Sequence, residues 1–189
     1  MKKIKTLLSL VAAMALCSCQ ADKSYSIEGA IYGGRNFDDQ TIYLVPFSGS
    51  TAGRLDSAKV RDGRFRFDGT AETGGIFIVR MRPMMRLFIE ELILIREPGN
   101  IRAMLSEHSS ASGTPLNDSL QNWREYKQTI DTQLEEIRKM LRRATPRETA
   151  RLKASQDSLR TLFDKHNRAS ALANSDNTFG EFLDSWVIR

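Results

Sequence analysis

Cysteine is nearly missing: two occur in 189 residues, Cys17 and Cys19, and none follows. A disulfide framework in the folded part is therefore excluded, and so is a Cys-x-x-Cys redox pair. Histidine is equally scarce. His108 and His166 are the whole supply, with no H-x-x-x-H and no histidine–acid cluster, so the spacing predicts neither a metal site nor a cofactor. There is no G-x-S-x-G elbow and no phosphate-cradling glycine loop before a helix. Glu90-Glu91 and Asp38-Asp39 are adjacent acids, and strand neighbours point to opposite faces, so they suit solvated positions better than acid–base pairs. No apolar run approaches the roughly 20 residues of a spanning helix, which excludes a polytopic membrane protein. An aromatic share of 8% leaves few rings beyond the core for a glycan platform.

Acids are absent from residues 1–18, where Lys2, Lys3 and Lys5 precede a short apolar core, Leu7 to Leu16. This is the pattern of an export signal, too short to span stably. Leu16-Cys17-Ser18-Cys19 follows and resembles the bacterial lipobox: Leu three places before the modified cysteine and a small residue immediately before it. That resemblance implies lipidation of Cys19 and cleavage before it. An ordinary secretory signal with two incidental cysteines is the alternative, and Cys17 departs from the commoner Ala or Ser. Several acyl chains, at about 0.8 kcal/mol per buried methylene, make an almost irreversible anchor. Gln20 in place of Asp after Cys19 favours the outer membrane. Gln20 to Ser24 reach less than about 20 Å, so the folded part sits close to the bilayer. Without the three signal lysines, 25 basic residues face 23 acidic ones, a net charge of +2 that gives nucleic-acid binding little support.

Residues 25–106 alternate with period two between turn signals. Tyr25, Ile27, Gly29 and Ile31 share one face of a first strand, and Thr41 to Val45 form a β-branched run that ends at Pro46. Arg61-Asp62-Gly63 reads as a hairpin turn between Leu55–Val60 and Arg64–Asp68. Ile76–Arg82, Leu87–Ile95 and Ile101–Leu105 complete about seven strands, with Pro98-Gly99-Asn100 as the last turn. Such spacing predicts an antiparallel β-sandwich or a partly open barrel.

Residues 114–175 change period. Thr114-Pro115 opens a helix whose Leu116, Leu120, Trp123, Ile130, Leu134, Ile137 and Leu141 form a heptad-like, coiled-coil seam. Thr145-Pro146-Arg147-Glu148 has capping-box spacing and opens a second helix, with Leu152, Leu159, Leu162, His166, Ala169 and Ala173 as its seam. The short connection predicts an antiparallel helical hairpin in an α+β protein. Its helices run about 40 Å, so part of it projects beyond the strands. The expected parts are a signal at 1–18, a tether at 19–24, a β domain at 25–106, a linker at 107–113, the hairpin at 114–175 and a short apolar segment at 176–189.

Between residues 138 and 153, Arg138, Lys139, Arg142, Arg143, Arg147, Arg151 and Lys153 face Glu148 alone, a local charge of +6. Cations at the end of the first helix offset its dipole, whereas Arg147 and Arg151 begin the second, where that argument has the wrong sign. A basic tip that docks an acidic partner or anionic headgroups is the expectation.

Leu55-Asp56-Ser57-Ala58-Lys59-Val60-Arg61-Asp62-Gly63-Arg64-Phe65-Arg66-Phe67-Asp68-Gly69, with Tyr25-Ser26-Ile27-Glu28-Gly29 before it and Gly113-Thr114-Pro115-Leu116-Asn117-Asp118 after it, carries a family resemblance. The chain resembles a domain-of-unknown-function family that forms the N-terminal part of lipid-anchored, thioredoxin-like proteins of Gram-negative bacteria. In those relatives the C-x-x-C lies in a later domain, and no catalytic residue carries over to this sequence. The expected function is a non-catalytic, lipid-anchored envelope protein that binds or positions a ligand. The alternative is the accessory half of a thiol-disulfide oxidoreductase whose C-x-x-C domain is missing or separately encoded, with a thioredoxin-like partner.

Overall fold

The computed structural model describes residues 23–47, 56–71, 74–81 and 89–188. Cys19, with the signal and most of the tether, lies outside them. Among the described residues the architecture is α+β: eight strands in two four-stranded sheets, and three α-helices. The first sheet has the order β4-β1-β7-β8, from β1 (Ser24–Ile31), β4 (Arg64–Thr70), β7 (Gly99–Leu105) and β8 (Ser110–Ser112). The second has the order β3-β2-β5-β6, from β2 (Thr41–Pro46), β3 (Asp56–Lys59), β5 (Gly75–Arg80) and β6 (Leu92–Arg96). Neither sheet closes on itself, so the strands do not form a closed barrel.

Two turns do more than the sequence suggests. Asp62 and Gly63 both take positive φ, as the Asp-Gly pair predicts, and Arg61 and Arg64 exchange backbone hydrogen bonds of 2.9 and 3.0 Å. Yet β3 and β4 belong to different sheets, so this turn passes the chain between sheets instead of closing a hairpin within one. Pro98-Gly99 does the same between β6 and β7. β7 therefore enters the first sheet alongside β1 and pairs with it in parallel, Ile27 opposite Ile101. An all-antiparallel arrangement is corrected on that point. Ser110–Ser112, expected within a linker, forms β8 at the sheet edge.

Alternation decides the layers. Ile27, Ile31, Phe65, Phe67, Ile101 and Leu105 of the first sheet share one buried cluster with Ile42, Leu44, Val79, Leu92 and Leu94 of the second. β6 is apolar on both faces, since Ile93 and Ile95 turn the other way. There they meet the helices α1 (Pro115–Leu141), α2 (Pro146–Ala173) and α3 (Thr178–Trp186) through Leu120, Trp123, Phe179, Phe182 and Leu183. The second sheet thus has apolar partners on both sides, while no described residue covers the outer face of the first.

Asn117 pins α1 to that stack. Its buried side chain accepts from the Ile95 N–H at 2.9 Å and donates to the Ile95 carbonyl at 2.7 Å, as a neighbouring strand would. Glu97 accepts the Leu116 and Asn117 amides, both at 2.9 Å, and so satisfies helix-start donors that the Thr114 side chain does not cap. The seam of α1 is buried or half-buried as its spacing requires, with Leu120, Trp123, Ile130 and Ile137 buried. Ile130 and Ile137 join neither core cluster; the distal part of α1 faces Arg151, Ala154 and Leu159 of α2. The seam of α2 needs correction. Leu162 is 53% exposed, and Ala169 and Ala173 are exposed, while Phe163, Asn167 and Ala171 face inward. One position is about 100° on a helix, enough to swap an inner row for an outer one.

Candidate functional site

Where β6, the turn before β8, α1 and α3 meet, the chain leaves a cleft of about 310 Å³. Ile93, Leu120, Trp123 and Phe182 give it an apolar floor. Trp123 is held by its neighbours: its indole N–H donates to Asn167 Oδ1 at 2.8 Å, and its ring stands edge-on to Phe182 and stacks beside Phe163. The floor is therefore rigid.

Arg124 forms the polar side. Following Trp123 on α1, it stands at the edge of the apolar stripe, with its side chain 17% exposed. Nη2 lies 3.4 Å from Glu90 Oε2, and Nη1 is buried with no hydrogen-bond partner among the described residues. Burial pushes the guanidinium below its ordinary pKa, and the Glu90 charge opposes that shift. A buried cationic N–H with no acceptor among the described residues is costly, and it belongs to a side chain that lines the cleft. The rim is built as firmly. The buried Ser109 hydroxyl donates to the Glu90 carbonyl at 2.6 Å and accepts from the Ser106 amide at 3.1 Å. Glu91 is paired with Arg80, Nε to Oε1 at 2.9 Å. Glu90 and Glu91 both line the cleft, and each meets an arginine instead of solvent alone.

His108 lies on the rim, and His166 lies outside the cleft with its ring 4.0 Å from that of Tyr126. Among the described residues, no three His, Cys, Asp or Glu side chains converge as a metal site.

The basic stretch forms the turn between α1 and α2. Arg138 pairs with Glu135 one turn back. Glu148 is occupied by the capping box, accepting from the Thr145 amide at 2.8 Å and hydroxyl at 2.6 Å. Lys139, Arg142, Arg143 and Arg147 are exposed, and Arg151 borders the groove beside Met140; none of the five makes an ion pair with a described residue. Sequence reasoning missed Arg124, Glu97 and Asn117. The available signal was a polar or charged residue at or beside the α1 seam facing acids far away in the chain, which periodicity alone cannot pair.

Two four-stranded sheets and a helical layer with an arginine-lined cleft define an α+β protein with a ligand-sized recess and no assembled catalytic group among its described residues. The chain belongs to the family described as Domain of unknown function (DUF4369), whose model matches residues 25–120. That match takes in residues of all eight strands and the first turns of α1, including Asn117 and Leu120. No curated protein and no solved structure matches the chain.

Proposed function

We propose that this protein is a non-catalytic module, anchored in the cell envelope by lipid on Cys19, that holds a partner or small ligand carrying an apolar group and an acceptor oxygen. In this reading its two sheets act as a β-sandwich scaffold and α1 and α2 as an antiparallel helical hairpin whose basic tip meets an acidic envelope partner. The observation that carries it is Arg124: a buried guanidinium N–H without an acceptor among the described residues, beside an apolar floor in a cleft of ligand size. The uncapped arginine supplies orientation, and Trp123 and Phe182 supply contact area.

A probe with the right chemistry is anilinonaphthalene sulfonate, an aromatic body with one oxyanion. In a Trp186→Phe background, Trp123 is the sole tryptophan, so energy transfer from it reports on the cleft. Saturable transfer is expected, weakened by about tenfold or more in Arg124→Met, the loss of one charge-assisted hydrogen bond. Equal affinity in both proteins would sink the reading. The alternative, an accessory half for a thioredoxin-like oxidoreductase, draws support from the family resemblance. It requires that adding this protein change the disulfide-reductase rate of such a partner.

A further inference from the structure

The helical layer covers the far side of the second sheet, and nothing among the described residues covers the outer face of the first. Register places its side chains in rows. Glu28 of β1 lies between Arg66 of β4 and Arg102 of β7; Ala30 lies between Arg64 and Met104; Ser26 lies between Asp68 and Asn100. The two acids of this face are already engaged, because Arg66 pairs with both Glu28 and Asp68, the latter at 2.7 Å. Arg64 and Arg102 are exposed and pair with no described residue. Arg61 and Lys59 extend the patch at one side, so five cations and one acid, Glu28, line a shallow concavity of about 660 Å³. β1 enters this same sheet as an internal strand, and its start at Ser24 is where the chain arrives from Cys19.

We infer that the outer face of the first sheet rests on anionic phospholipid, with Arg64 and Arg102 as its principal headgroup contacts. This rests on the lipid-anchor reading for its geometry. A tether of at most about 20 Å enters β1, and the Arg66–Glu28–Arg102 row lies only about 13 Å further along that strand. The face is held within reach of the bilayer, and its charge is of the attractive sign. The arrangement also has a consequence for the rest of the molecule. The helices pack on the far face of the second sheet, so the cleft stands on the side away from the membrane, open to a partner in the aqueous compartment.

The test uses the chain from Gln20 to Arg189, which lacks both the cationic signal and the lipid-bearing cysteine, so that the face is read independently of either. Sedimentation with vesicles of phosphatidylcholine containing phosphatidylglycerol should bind this protein, and vesicles of phosphatidylcholine alone should not. Salt should release it, since exposed charges are screened. Arg64→Glu with Arg102→Glu should weaken binding by about 25-fold or more, at about fivefold for each surface cation removed. Both positions are exposed and without side-chain partners among the described residues, and circular dichroism should show an unchanged fold. Reversal at Arg142, Arg143, Arg147 and Arg151 should leave vesicle binding as it was. Failure of the unlipidated chain to bind anionic vesicles, loss of binding from the tip reversal alone, or capture by a soluble polyanion such as heparin without capture by vesicles would each overturn the proposal. None of these outcomes bears on whether Cys19 is acylated, which is read separately by mass.

Discussion

Asn117 shows how much one polar side chain can decide. It is 1% exposed, and its amide satisfies both backbone groups of Ile95 and shares Glu97 and Thr114. Asn117→Ala leaves the Ile95 N–H and C=O without these partners, each costing about 1–3 kcal/mol. A loss of about 3 kcal/mol in denaturant-derived stability is expected, with no change at an exposed control such as Asn122→Ala. A loss under about 1 kcal/mol would show that water replaces the amide. The sequence displayed Asn117 as a polar residue in the first turn of a helix, two positions after Pro115. What it could not display was the edge of β6, because that strand's free backbone groups exist only after the sheet has formed.

At the scale of the element, α2 is the helix whose beginning the sequence defined best. Thr145 and Glu148 form the reciprocal capping box that their spacing predicts. Hydrogen bonds from the Thr145 hydroxyl and amide hold the Glu148 carboxyl below its ordinary pKa. A carboxyl lowered on folding contributes stability above its unfolded value and loses that contribution as pH falls through its folded value. Amide exchange at Thr145 and Glu148 should therefore accelerate selectively as pH drops through the carboxylate range, after correction for intrinsic rates. Glu148→Gln should remove that pH dependence, and Thr145→Ala should cost about 1 kcal/mol. Exchange that tracks α1 equally would contradict this. The same helix shows where periodicity stops. A capping box is local chemistry within four residues, whereas the inward row of α2 depends on where α1 and α3 lie, and there the Leu162 row yields to the Phe163 row.

For the whole molecule, the expectations concern position: a lipid at Cys19, a cationic sheet face toward the bilayer, and a cleft and basic tip turned to partners. The intact mass of protein extracted from membranes should lack residues 1–18 and carry acyl chains, and Cys19→Ala should abolish both. A cleaved but unacylated chain would refute the anchor and leave an exported protein. Residues alone determined the class of the molecule. Alternation and turn chemistry made residues 25–106 strands, and 3.6-residue periodicity with Thr and Pro starts made two long helices. Those are local signals, carried by neighbours in the chain. Tertiary structure alone decided which strands share a sheet, that β7 runs parallel to β1, and that β6 is covered on both faces. It also decided that Arg124 is buried beside Glu90, 34 residues away in sequence. These follow from long-range packing, where a turn of two residues can either close a hairpin or cross between sheets, and only the burial of both faces selects one.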